Sequence, residues 1–159
     1  MAGTWRMLPH AVEAFVEVAT EGGLNATAAR AAAMAARVHP EITAAAGSAL
    51  WQRPILAAMS RFGDLGLALG DDIFLSNPSV LTRWSVLAHE LVHVMQYQRR
   101  GVAPFLIGYA SEYLWHRLRG YDGRAAYYRL EDEVEAFAIE RLANRQKFAQ
   151  PFVVVDPTG

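Results

Sequence analysis

At 159 residues, with 53% hydrophobic and 19% charged side chains, the chain is long enough for one packed core, too short for two ordinary domains and too apolar for disorder. A net charge of -1 argues against nucleic-acid binding by broad phosphate neutralisation, leaving only local basic pairs such as Arg99–Arg100. The absence of cysteine excludes disulfides, thiolate metal sites and a cysteine nucleophile, so any metal must be held by His, Asp or Glu.

The opening residues lack an apolar run behind a basic end, and no stretch approaches the length of a membrane span. The expectation is a soluble, cytoplasmic protein with no transmembrane segment, with export through a specialised secretion or injection system left open. Pro9 suits the first turn of a helix through "HAVEAFVEVAT" that ends at Gly22-Gly23. Asn25 or Thr27 caps a second, alanine-rich helix, "ATAARAAAMAARVH", stopped before Pro40. A third helical region is expected over 41–62, with a break near Pro54. Met34, Val38, Ile42, Leu50, Trp51, Ile55 and Leu56 offer these segments a core face.

The pattern then changes. Leu65, Leu67 and Leu69 alternate, Gly70-Asp71-Asp72 supplies a turn, and Ile73 and Leu75 follow, which predicts a small hairpin. Asn77 and Pro78 provide a cap and a first-turn residue for a long helix that Gly101 ends. "PFLIGYASEYLWHRLRG" reads as an amphipathic helix closed by Gly120, and "LEDEVEAFAIERLANRQKF" as the last helix. The tail "PFVVVDPTG" is a short strand or an ordered extension. The fold class is mainly α (α+β), in one domain.

The long helix carries "AHELVHV". Residues four apart project from one helical face, so His89 and His93 can offer ring nitrogens to one metal ion, and zinc suits such a pair. Glu90 is turned about 100° from His89, toward the open side of the ion, where a bound water can give up its proton. Zinc lowers the pKa of its water to about 7, and a nearby carboxylate can take the proton as the water attacks a carbonyl. The flanking Val86, Leu87, Ala88, Leu91, Val92, Val94 and Met95 leave Glu90 as the one charge on a buried segment. A buried carboxylate without a partner costs several kcal/mol, which a metal or its water offsets. The bland alternative is a core helix whose histidines are merely hydrogen-bonded and whose glutamate reaches Arg83.

"VLAHELVHVM" resembles the extended zincin signature of metallopeptidases at every constrained position from Val86 to Met95. More widely, the stretch from Leu65 to Glu140, about half the chain, is similar to a bacterial HExxH family of unknown function described as the core domain of extracellular contractile injection systems. The resemblance implies a minimal zincin-like core over 63–148, preceded by N-terminal helices over 1–62 and followed by an extension over 149–159. It also implies a zinc metallopeptidase that hydrolyses peptide bonds through a zinc-bound water, with Glu90 as catalytic base and a peptide or protein as substrate. The alternative is a zinc-binding structural or interaction module with a protein partner in a larger assembly and no turnover.

Two histidines do not complete a catalytic zinc site, which needs a third protein ligand and an open position. The metzincin pattern would place that ligand at Arg99, behind a glycine at Gln96, and is excluded. "LEDEVEAFA", forty residues after His93, resembles the second helix of gluzincins, where a glutamate ligand precedes a small residue by three positions. Glu133 with Ala136 fits that pattern. Glu131, Glu135 and His116 are the competing ligands, and helical periodicity does not separate the glutamates, since a stripe of Leu130, Val134, Phe137 and Ala138 leaves all three on its flanks. Tyr127, Tyr128, Tyr97 and His116 are the candidate donors to a developing oxyanion. The hairpin resembles the zincin edge strand, along which an extended peptide adds by main-chain hydrogen bonds.

Overall fold

In the computed structural model, which describes residues 4–42, 49–59, 65–147 and 151–158, a mainly helical body packs on a small mixed sheet. Helix α1 (Pro9–Glu21) has Pro9 in its first turn and stops at Gly22, after which Gly23 takes a φ of 86°. For helix α2 (Ala26–Ala35), Asn25 is the cap, its Oδ1 accepting from the Ala28 amide at 2.9 Å.

Helix α2 ends sooner than expected. Arg37–His39 form a strand, β2, between β1 (Trp5–Met7) and β4 (Asp72–Leu75), and neither β1 nor β2 is apparent in the sequence. Strand β2 runs parallel to β4, with Arg37 opposite Asp72, and this pairing overrides local helix propensity. The expected hairpin is β3 (Gly66–Leu69) with β4, turned at Gly70, whose φ is 70°. The tail contributes β5 (Val153–Val155), giving the order β3-β4-β2-β1-β5.

The third helical region is shorter than expected. Helix α3 spans Gln52–Met59, residues 41 and 42 are not helical, and 43–48 and 60–62 lie outside the described residues. Pro54 falls in the first turn rather than at a break, where its missing amide hydrogen would have had no intrahelical acceptor. Val38 and Leu56 are fully buried as expected, but Met34, Leu50 and Trp51 are exposed, so the proposed core face is only partly one.

Asn77 caps a 3₁₀ turn (Pro78–Thr82) rather than the motif helix, its Oδ1 accepting from the Ser79 amide at 3.0 Å. Helix α4 (Trp84–Arg100) follows and ends at Gly101, whose φ is 87°. It is buried from Val86 through Tyr97, between α2, β3, α5 (Val102–Leu118) and α7 (Glu131–Ala143). A short helix not expected from the sequence, α6 (Gly123–Tyr127), is capped by Asp122. No described helix is long and apolar enough to cross a membrane.

The sheet side is tied by Asp72, buried at 1% exposure. Its carboxylate accepts from Arg37 Nε and Nη2 at 2.8 and 2.9 Å, from Gln52 Nε2 at 2.8 Å, and pairs with His39 Nε2 at 2.9 Å. Burial alone would raise its pKa, but the bonds from Arg37, His39 and Gln52 hold it well below the usual carboxylate range. A group depressed in this way contributes stability that is complete above its unfolded pKa of about 3.9 and is lost as pH falls toward the folded value. Asp72→Asn is expected to cost about 1–3 kcal/mol at neutral pH and to flatten the acid limb of the stability curve, as read by urea unfolding across pH. Unchanged stability and an unchanged acid limb would show that the network holds nothing.

Candidate metal centre

Helix α4 brings His89 and His93 to one face, one turn apart, with their Nε2 atoms 3.2 Å from each other. Helix α7 packs across that face and carries Glu133, whose Oε2 lies 3.1 Å from His89 Nε2 and whose Oε1 lies 3.3 Å from His93 Nε2. The three side chains are buried, and this is the one cluster among the described residues whose donor atoms could together hold a metal ion.

The other ring nitrogens are also engaged. His89 Nδ1 pairs with Glu140 Oε2 at 2.9 Å, and His93 Nδ1 with Gln96 Oε1 at 2.7 Å. With Nδ1 as the protonated nitrogen in each ring, both Nε2 lone pairs face inward, the arrangement metal-ligating histidines use. Gln96 is fixed in turn by donating to the Asp132 carbonyl at 3.0 Å and to Glu135 Oε2 at 2.7 Å. Tyr109 donates to Glu133 Oε1 at 2.7 Å and Tyr127 to Glu133 Oε2 at 2.9 Å, so each carboxylate oxygen meets one hydroxyl and one imidazole.

Electrostatics follow from this crowding. Burial opposes charge on His89, but Glu133, Glu140 and Glu90 more than offset it and push the ring up to about 10; His93 is raised in the same way, with Glu133 the main cause. Burial would raise Glu133, yet the charge of His93 and hydrogen bonds from His89, His93 and Tyr109 hold it below the usual carboxylate range. Burial and then Glu133 raise Tyr109, keeping it a protonated donor. The cluster is thus a negative pocket that stabilises positive charge, and a divalent ion held among these atoms would take the place of the ring protons.

Beside the cluster opens a cleft of about 230 Å³, lined by Leu65, Gly66, Glu90, Tyr127, Tyr128 and Phe137 among others. A Cβ on Gly66 would lie 2.9 Å from Glu90 Oε1, so the missing side chain at the start of β3 is what gives Glu90 its place.

The rival third ligands lie elsewhere. Glu135 Oε2 is held by Gln96 and lies 3.6 Å from Arg99, the Glu131 side chain borders a separate groove with Gly22 and Leu24, and His116 sits 3.7 Å from Glu112 against the Tyr121 ring. Of the hydroxyls, Tyr127 and Tyr128 line the cleft, whereas Tyr97 stacks on Phe105 and borders a groove near Asp71. The expected apolar stripe of α7 is corrected: Val134 is 52% exposed, and the buried face runs through Asp132, Glu133, Ala136, Ile139 and Ala143. Periodicity missed it because that face is built around carboxylates.

Glu140, Gln96 and Tyr109 were not anticipated. Glu140 has a local signal, since it falls seven residues after Glu133 and so on the same face of α7. Tyr109 has none, because only the path of α5 brings it to Glu133.

Residues 56–101 match the eCIS core domain family. The matched stretch runs from within α3 through the β3–β4 hairpin to the end of α4, less than half of the chain, and holds both histidines and Glu90 but not Glu133. No curated protein and no solved structure matches the chain.

Removing either hydroxyl that steadies Glu133 should loosen the site without unfolding the protein. Tyr109→Phe and Tyr127→Phe are each expected to weaken metal affinity by about tenfold or more in chelator competition, with little change in thermal midpoint. Affinities equal to wild type would mean that the two tyrosines do not position Glu133.

Proposed function

We propose that the protein is a zinc-dependent metallopeptidase, with His89, His93 and Glu133 as ligands and Glu90 as general base. The observation that carries this reading is the convergence of donors from α4 and α7: the two Nε2 atoms lie 3.2 Å apart, and each faces one oxygen of Glu133, His89 at 3.1 Å from Oε2 and His93 at 3.3 Å from Oε1. Ligand atoms bound at about 2.0–2.1 Å on a tetrahedral ion stand about 3.3 Å apart, so the two imidazole nitrogens already have zinc-ligand spacing and Glu133 brings a carboxylate oxygen to each of them. Bound there, zinc polarises a carbonyl and lowers the pKa of a coordinated water.

The remaining roles fall to the chain's own residues. Glu90 borders the cleft and takes the proton of the attacking water as the new C–O bond forms, then delivers it to the nitrogen as the C–N bond breaks. Tyr128, in the same cleft, supplies a hydroxyl for the substrate oxygen, whereas the Tyr127 proton is given to Glu133. Strand β3 lies at the end of the sheet order, with Leu65 and Gly66 in the cleft wall, and an extended peptide adds along it by main-chain bonds.

A second reading, a zinc staple within an interaction module, is favoured by the depth of the donors: His89, His93 and Glu133 are 5, 6 and 3% exposed and join α4 to α7. Metal analysis of protein purified without chelator, with assays on unfolded protein substrates, separates the two. Stoichiometric zinc and cleavage are expected for wild type, with turnover reduced about 10²–10⁴-fold in Glu90→Gln at unchanged zinc content. Zinc-loaded wild type as inert as Glu90→Gln would leave the staple, and absence of bound metal would end both readings. Gly66→Ala, which crowds Glu90, is expected to lower kcat while zinc content stays at the wild-type level; full activity would show that the Glu90 position is not critical.

A further inference from the structure

Helix α5 is apolar along most of its length, yet Phe105 is its one fully buried residue. Ile107, Leu114 and Leu118 are 66, 57 and 76% exposed and recur at spacings of seven and four, so they form one outward stripe, with Trp115 on its flank at 57%. Exposed apolar residues scattered singly need no explanation, but an aligned set on one helix marks a contact surface.

Charge on this part of the chain is one-sided. From Arg117 to Arg129 four arginines stand against Asp122, +3 in a chain whose net charge is -1, whereas Arg99 and Arg100, just before α5, pair with Glu135 and Asp132. Arg117 and Arg119, both exposed, border the C-terminal half of the stripe, and the Arg119 guanidinium lies 5.7 Å from the Trp115 ring. Glu112 is half-buried and accepts from the Glu131 amide, and Asp122 caps α6, so neither balances those arginines across the stripe.

We propose that this face docks on an anionic phospholipid surface, with Leu114, Trp115 and Leu118 entering the boundary between headgroups and acyl chains and Arg117 and Arg119 meeting lipid phosphates. An indole beside arginines suits that boundary, where a ring with one polar edge and long cationic side chains each keep a polar end in water. Charge decides against a second copy as the occupant. Parallel pairing of two α5 helices would set Arg117 and Arg119 opposite themselves, and antiparallel pairing would offer them no carboxylate on the partner's α5 except the half-buried Glu112. An anionic bilayer opposes none of these charges and attracts each of them. Because the stripe is an outward ridge on one helix, it needs no matching concavity. The inference stands apart from the metal reading and uses none of its residues.

The test is co-sedimentation of the full chain with vesicles of phosphatidylcholine alone and with phosphatidylglycerol added. Binding is expected to the anionic vesicles, weakened by raised salt, with a blue shift in tryptophan emission that Trp115→Phe removes although Trp5, Trp51 and Trp84 remain. Leu114→Ser with Leu118→Ser is expected to lower the vesicle partition coefficient about tenfold or more, and Arg117→Glu with Arg119→Glu to abolish the preference for anionic lipid. All four positions are exposed, so circular dichroism melts should match wild type. Failure to bind anionic vesicles, or variants that bind like wild type, overturns the proposal. So does sedimentation velocity showing a dimer that the leucine substitutions dissociate, which would make a second copy the occupant.

Discussion

The burial of α4 is the constraint on which the rest depends. From Val86 to Tyr97 the helix has no solvent-facing side, yet it carries His89, Glu90, His93 and Gln96. Ring nitrogens, a carboxylate and an amide taken out of water must be met by the protein at several kcal/mol apiece, and α7 meets most of them. Glu133 and Glu140 face His89, Glu133 also faces His93, and the Asp132 carbonyl and Glu135 take the Gln96 amide. The contact between α4 and α7 is therefore a polar seam inside an otherwise apolar core, and its register is set by hydrogen bonds rather than by side-chain volume.

That seam explains features far from it. Helix α7 turns Asp132 and Glu133 inward and leaves Val134 in solvent, an inversion that makes sense only if the carboxylates have partners inside. Across the cleft that α7 also lines, β3 approaches α4 so closely at Gly66 that a side chain there would displace Glu90. The sheet holding β3 is anchored by a second buried carboxylate, Asp72, which gathers Arg37, His39 and Gln52. The two acidic groups divide the work: Asp72 fixes the strands, and Glu133 fixes α7 on α4.

What could be read before the fold was known depended on how far apart in the chain the cooperating residues are. The hairpin, the ends of α1, the C-terminal end of α4 at Gly101, and the His89–Glu90–His93 geometry rest on contiguous residues whose spacing and caps act locally. Strands β1 and β2, three residues each, have no room for a period and exist because they pair with each other, β1 also with β5 and β2 with β4. The end of α2 was misplaced for the same reason, since nothing local tells Arg37 to leave the helix and meet Asp72. On α5, the sequence predicts an amphipathic helix but not what its apolar face meets, and most of that face is exposed, because periodicity reports that a face is apolar and not what covers it.

Within the site, the sequence by itself determined the pairing of His89 with His93 and the placing of Glu90 beside them, because an α-helix of known period leaves those directions no freedom. A family resemblance favours Glu133 over Glu131 and Glu135, since three carboxylates within five residues of one helix are equivalent until something packs against it. Packing of α7 on α4 is what brings Glu133, rather than Glu131 or Glu135, within 3.3 Å of both Nε2 atoms, and the same packing supplies Glu140, the anchor for Gln96, and an acceptor for Tyr109. Those contacts join residues from twenty-four to fifty-one positions apart, where chain geometry imposes no distance and only packing does.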